Sequence, residues 1–359
     1  MKTFTVADIN EKRILGRNSF TDDKALSLFW AASALEVNVK SSEVWAFISC
    51  DYNGLTPWVS VSINGYPVSR FIPSKEGQWY CVAQNLNPEV EHLVTIMKDT
   101  QPMPGDEKHA LFIHQLKLSD SGTFCELKPR KYNIEVIGDS ISTGEGLNGN
   151  PDEMDWISMW MSAHKTYAVQ FAKAMDGNLS VISQCGWGLK WAYDGNFNNN
   201  IPDYYNEVCS LYTDDFHKKL GSCDKWDFSK TKNDFVIINL GTNDNSGLSV
   251  LEDKDGAKKL FVQTVESFLG TVRKSNPSAQ IIWMYGMLKL DQIPALLEKG
   301  ISNYKNSSGD TKVHLLEVAA MEDVEQIPED KGSRGHPGPK THRLAAESLL
   351  NLAKRISDN

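Results

Sequence analysis

Residues 132–146 read Tyr132-Asn133-Ile134-Glu135-Val136-Ile137-Gly138-Asp139-Ser140-Ile141-Ser142-Thr143-Gly144-Glu145-Gly146, a short apolar strand over 132–137 that empties into a glycine-bounded turn. From this point to the C-terminus, strands and helices alternate. A helix is expected over 166–175 with Gly177 as its stop, followed by strands over 179–183 and 235–240. Within 256–274, Leu260, Phe261, Val265, Phe268, Leu269 and Val272 recur on one helical face, and Asn276-Pro277 ends the run. Strands over 279–285 and 312–316 follow. A last helix over 341–356 carries the stripe Ala345, Leu349, Leu352, Ala353 and Ile356. Such alternation implies a parallel sheet flanked by helices, with the loops at the strand carboxyl ends free to build a site. The stretch 194–232, rich in Asn and aromatics, reads as an insertion overhanging that site.

Upstream of Pro129-Arg130-Lys131 the texture is different. Short β-rich runs occupy 27–30, 34–39, 44–50, 58–63, 79–82, 93–97 and 111–116, punctuated by Asn53-Gly54, Asn64-Gly65 and Ser119-Asp120-Ser121-Gly122. Ile63-Asn64-Gly65-Tyr66 is a hairpin signal, because Asn-Gly tolerates the two positive φ angles of a type I′ turn. Many short strands at this spacing predict an all-β fold, an antiparallel sandwich or jelly roll. The chain therefore divides into a β-sandwich domain over 1–128 and an α/β domain over 129–359.

Composition limits the partners. The 359 residues carry 37 Lys+Arg against 46 Asp+Glu, a formal charge of −9, and no basic stripe, which argues against nucleic acid. No apolar run approaches the roughly 18 residues of a membrane span. The first ten residues, Met1 to Asn10, lack a secretory apolar core, and the six cysteines have no CxxC spacing. A cytoplasmic protein with free thiols is expected, a Cys209–Cys223 bridge being the alternative.

Four blocks carry chemistry. In the first, Ser140 stands at a strand end in a Gly-bearing turn, where its Oγ and its own N–H can face one reacting atom. A phosphate loop is excluded, since Glu145 follows Gly144 where Lys is required, and Ser142 replaces the second glycine of a G-x-S-x-G elbow. The second, Ser183-Gln184-Cys185-Gly186-Trp187-Gly188, offers a glycine N–H, though glycine after a strand is ordinarily a turn. The third, Asn239-Leu240-Gly241-Thr242-Asn243-Asp244, offers an amide for an oxyanion, against a bland reading as a helix cap. The fourth, Gly332-Ser333-Arg334-Gly335-His336-Pro337-Gly338, holds a histidine fixed by Pro and Gly ahead of the last helix. Asp253-Lys254-Asp255-Gly256 is a poor calcium loop, because Thr264 takes the place of the later carboxylate. The remaining histidines show no metal spacing, so no metal or organic cofactor is implied.

In this order the blocks resemble those of the SGNH (GDSL-type) hydrolase superfamily across the whole α/β portion. Together with Ile14-Leu15-Gly16-Arg17 and the β-rich N-terminal portion, the chain resembles carbohydrate esterase family 2, which joins a jelly roll to an SGNH domain and deacetylates sugars of plant polysaccharides. The resemblance implies Ser140 as nucleophile, His336 as base, and the Ser140 N–H, Gly186 N–H and Asn243 amide as the oxyanion hole. The superfamily's Asp three residues before the His is absent, Ser333 standing there. His336 must then be oriented by a backbone carbonyl, as in some family 2 members, or by a displaced acid such as Asp330 or Glu329. Trp187, beside the oxyanion glycine, is expected to wall the acyl pocket, while the neighbouring Trp156, Trp160, Trp191, Tyr193, Tyr204 and Tyr205 read individually as packing.

The expected partner is an acetylated sugar or oligosaccharide, with homo-oligomer assembly left open. Two other readings stand beside the sugar deacetylase: a lipase or thioesterase acting on acyl chains, and a carbohydrate-binding protein with a vestigial site.

Overall fold

The computed structural model describes residues 1–324 and 330–357, and the chain forms two compact units. Unit 1 comprises Met1–Pro129, Ile157–Met159 and Glu207–Trp226; unit 2 comprises Arg130–Trp156, Trp160–Asn206 and Asp227–Asn359.

Unit 1 is an antiparallel β-sandwich. One sheet runs β3 (Asn18–Phe20), β4 (Leu26–Leu28), β11 (Ala110–Leu118), β6 (Val44–Asp51), β9 (Gln78–Ala83), with β1 (Lys2–Thr5) also on β11. The other runs β12 (Thr123–Cys125), β5 (Ala34–Lys40), β10 (His92–Lys98), β7 (Val59–Ile63), β8 (Tyr66–Phe71), with β2 (Lys12–Leu15) on β5. Period-2 alternation decides which face is inward: along β6, Val44, Ala46, Ile48 and Cys50 are buried, while Trp45, Phe47, Ser49 and Asp51 are half-buried. The inward residues pack on Val37, Val39, Val59, Val61, Val94 and Ile96 of the second sheet. At the β7–β8 hairpin Asn64 and Gly65 have φ of 53° and 77°, the two positive angles expected of the type I′ turn.

The segment Glu207–Trp226, with its short helix α3 (Asp215–Lys219), completes this unit. Trp30 Nε1 donates to the Val208 carbonyl at 2.6 Å, Ser19 Oγ to the Leu220 carbonyl at 2.5 Å, and Met103 N–H to the Tyr212 hydroxyl at 2.6 Å. Half of the expected overhanging insertion thus belongs to the sandwich. None of the six cysteines forms a disulfide, Cys209 and Cys223 among them.

Unit 2 is built on a five-stranded parallel sheet in the order β14 (Gly177–Ser183), β13 (Tyr132–Gly138), β15 (Phe235–Asn239), β16 (Gln280–Tyr285), β17 (Val313–Glu317). Its inner strands β15 and β16 read as near-continuous apolar runs because helices cover both faces. Helix α2 (Tyr167–Ala174) packs with α7 (Pro339–Ser357), and α5 (Lys254–Ser275) packs with α6 (Ile293–Ser308). The sheet is extended in opposite directions on the two sides of β13, which makes the carboxyl ends of β13 and β15 the usual place for a ligand in such sheets. There Gly138 pairs in register with both Ser183 and Asn239, so the first three blocks leave the sheet at one level.

Two local expectations change. Gly177 is not the stop of α2: the turn residue is Asp176, with φ of 51°, and Gly177 already begins β14. Helix α6, unassigned in the sequence, fills the connection between β16 and β17.

Candidate active site

Helix α1 (Ser140–Thr143) follows β13 directly, and Asp139 caps it by accepting the Ile141 N–H at 3.0 Å. As the first helical residue Ser140 has no intrahelical acceptor for its N–H. Thr143 Oγ1 donates to the Ser140 carbonyl at 2.7 Å and pins the turn. Burial pushes the Asp139 carboxyl up to about 7; the Ile141 N–H opposes this, while Asp244 and Glu145 add repulsion.

The fourth block reaches Ser140 through backbone bonds. Ser333 N–H donates to the Gly146 carbonyl at 3.1 Å, and Gly332 N–H closes the loop on the His336 carbonyl at 2.9 Å. Gly146 has φ of +81°, and a Cβ there would lie 2.6 Å from the Ser333 carbonyl oxygen and 3.1 Å from His336 Cβ. No other residue allows that approach. Its result is a hydrogen bond of 2.9 Å between Ser140 Oγ and His336 Nε2. The buried Nδ1 of His336 has no hydrogen-bond partner among the described residues.

Asp330, expected as a candidate third member, instead serves α7. Its Oδ1 accepts the N–H groups of Lys340 at 2.5 Å and Thr341 at 3.3 Å, and its Oδ2 accepts the Thr341 hydroxyl at 2.9 Å. An uncapped helix start needs those acceptors, which explains why the carboxylate is spent there. Glu329, the other displaced acid, lies outside the described residues. Ser333 is fully buried, and its Oγ bonds to nothing among the described residues.

A different carboxylate stands beside the pair. Glu145 is buried, with Oε2 3.6 Å from His336 Nε2 and Oε1 accepting the Arg334 guanidinium at 2.9 Å. Glu145 lies in the first block and Arg334 in the fourth, and by sequence alone Glu145 does no more than exclude a phosphate loop. Nothing local in the sequence signals a contact across 189 positions.

The second and third blocks converge on the same turn. Cys185 Sγ lies 3.3 Å from Thr143 Oγ1 of α1, which brings the adjacent Gly186 alongside the Ser140 turn. Asn243, near the start of α4 (Thr242–Val250), donates from Nδ2 to the Trp187 carbonyl at 2.8 Å and to Asp139 Oδ2 at a long 3.4 Å. Its neighbour Asp244 fixes the glycine loop, accepting the N–H groups of Leu189, Lys190 and Trp191 at 2.7, 2.8 and 3.3 Å. Burial pushes this carboxyl up to about 6 despite those donors. Asp244 thus positions the glycine loop, a role that its place in the third block does not reveal.

The aromatics divide. Trp191 and Tyr205 are fully buried core residues, and Tyr193 is exposed next to Gly186, whose added Cβ would lie 3.2 Å from its ring. Trp187 is half-buried and pairs with Tyr204, ring centroids 5.1 Å apart. The calcium-loop-like Asp253 is the N-cap of α5, accepting the Gly256 N–H at 2.8 Å.

The model of the GDSL-like lipase/acylhydrolase family matches residues 134–349, more than half of the chain, and this sets the class. A second model, carbohydrate esterase 2 N-terminal, matches residues 14–126. Among solved structures, an acetyl xylan esterase from the rumen bacterium Butyrivibrio proteoclasticus is 30% identical with a TM-score of 0.93, covering 100% of both chains. A family two carbohydrate esterase from Clostridium thermocellum, solved in complex with cellohexaose, is 26% identical with a TM-score of 0.81, over 97% of this chain and 99% of that one. The cellulase/esterase CelE of Acetivibrio thermocellus is 28% identical over 93% of this chain, which spans only 38% of that relative's length. The chain belongs to carbohydrate esterase family 2.

Proposed function

We propose that the protein is a serine esterase that removes O-acetyl groups from sugars or oligosaccharides derived from plant polysaccharides such as xylan. The observation that carries this reading is the 2.9 Å hydrogen bond between Ser140 Oγ and His336 Nε2 at the carboxyl end of the parallel sheet. Similarity along the whole chain to an acetyl xylan esterase supports the substrate class.

In this mechanism His336 Nε2 takes the Ser140 proton as Oγ attacks the acetyl carbonyl. The oxyanion is held by the N–H groups of Ser140 and Gly186 and by the Asn243 amide. His336 then protonates the departing sugar oxygen, leaving an acetyl-enzyme on Ser140; water repeats the sequence and releases acetate. The half-buried Trp187–Tyr204 pair offers a sugar-stacking face, and Trp187 limits the acyl group to a small one. A cytoplasmic setting belongs to the same proposal, supported by six cysteines that form no disulfide.

Acetate release from acetylated xylo-oligosaccharides tests the reading. Ser140→Ala and His336→Ala should each lower turnover by at least about 10³-fold with the fold intact by circular dichroism. Full turnover in the Ser140→Ala enzyme would refute the assignment, and a preference for long-chain nitrophenyl esters would move it to the lipases.

A further inference from the structure

We propose that Glu145 is a positioning residue that supplies the counter-charge to His336 in its imidazolium form, from the Nε2 side of the ring. This rests on the esterase reading above. A carboxylate on the Nδ1 side would fix the tautomer; none of the described residues does so, and Nδ1 is unpartnered. Glu145 Oε2 lies 3.6 Å from Nε2, the atom that also bonds Ser140 Oγ at 2.9 Å. When the Ser140 proton moves to Nε2, the positive charge forms within ion-pair reach of a buried carboxylate, where an attraction is little screened. When the proton passes on to the leaving oxygen, the pair dissolves and the site returns to its starting charge.

Arg334 sets the strength of this interaction. Its guanidinium bonds Glu145 Oε1 at 2.9 Å and the Met154 carbonyl at 2.8 Å, so it holds the carboxylate in place and partly neutralises it. Among the described residues, other titratable groups also face this cluster. Asp139 lies on the α1 side, its carboxyl pushed up to about 7, with Asp244 behind it. Cys185 has its thiol held well above the ordinary range by burial and, next, by Glu145, and so stays neutral. His342, across from His336, is held at about 3 by burial and is neutral at working pH. Arg334 and Glu145 therefore present opposite charges beside His336.

The test compares kcat, KM and the pH profile of kcat/KM for wild type, Glu145→Gln and Arg334→Gln, with thermal unfolding of each. Glu145→Gln keeps an acceptor for Arg334 and removes the charge. It is expected to lower kcat about 10- to 100-fold with KM within about twofold, and to move the acidic limb of the profile to lower pH, since the imidazolium loses its partner. Arg334→Gln should move the same limb to higher pH. A limb that stays fixed in Glu145→Gln overturns the proposal, because a merely structural role would alter stability and leave the limb alone. If Glu145→Gln does not fold, a fixed limb in Arg334→Gln overturns it equally. Ser140→Ala separates the two levels: an inactive Ser140→Ala beside an unshifted Glu145→Gln defeats only the role of Glu145, whereas an active Ser140→Ala defeats the esterase reading and this inference with it.

Discussion

Asn243 holds its amide between two acceptors of unequal quality, the Trp187 carbonyl at 2.8 Å and Asp139 Oδ2 at 3.4 Å. The long bond is near the limit of a hydrogen bond, so that hydrogen is cheaply diverted to an oxyanion. Asn243→Ala is expected to lower kcat about 10²–10³-fold, or roughly 2.7–4 kcal/mol of transition-state stabilisation. Losing the Trp187 bond should cost only about 1 kcal/mol in urea unfolding. Turnover unchanged in this variant would remove Asn243 from the oxyanion hole. At this scale the sequence was legible where a residue's surroundings are local. Ser140, Gly186 and Asn243 follow strands, and His336 sits in a Gly- and Pro-bounded turn before a helix. Glu145 was not legible, since its meaning depends on Arg334 and His336, which only the fold brings near.

Helix α7 shows how an element can claim a residue that chemistry also wanted. The three bonds to Asp330 satisfy the backbone N–H groups of Lys340 and Thr341 and the Thr341 hydroxyl. Asp330→Ala should therefore cost about 0.5–2 kcal/mol of stability and leave turnover within about threefold of wild type. A loss of turnover by orders of magnitude without loss of stability would return Asp330 to the catalytic group. Helices α5 and α7 were readable from their apolar stripes, and the β7–β8 hairpin from Asn64-Gly65. Helix α6 was not, because its buried stripe includes Gly300, ordinarily a poor helix residue. A Cβ at Gly300 would stand 2.7 Å from Val265 Cβ of α5, so close helix packing demands the very residue that disguises the helix.

Across the molecule, buried titrating groups set how stability responds to pH. His342 accepts the Tyr167 N–H on Nδ1 at 3.0 Å, and burial, with the nearby His336 second, pushes it down from 6.5 to about 3. The folded chain then binds fewer protons than the unfolded one between these values. The contribution of this group rises with pH through that window and is lost on acidification. Asp139 and Asp244 act in the opposite sense, since their raised values of about 7 and about 6 favour the folded state as pH falls toward 3.8. The clean readout is a difference: His342→Asn, whose Oδ1 can accept the Tyr167 N–H, should lose less stability than wild type on going from pH 6.5 toward 4. The slopes should differ by up to about 1.4 kcal/mol per pH unit. Parallel slopes in urea unfolding would refute the role of His342. The two-part architecture was legible from the change of rhythm near residue 129, but the return of Glu207–Trp226 to the sandwich was not. A chain excursion into another unit leaves no periodicity to read. That excursion also dictates an order of assembly. A ribosome delivers the chain from residue 1 upward, so the sandwich emerges while the groups that Trp30 and Met103 bond, on Val208 and Tyr212, are still untranslated. By the time they appear, two of the five parallel strands have already been made. Strictly sequential maturation, one half finished before the next begins, is closed to this protein, and a fragment stopped at Pro129 would lack part of its own interior.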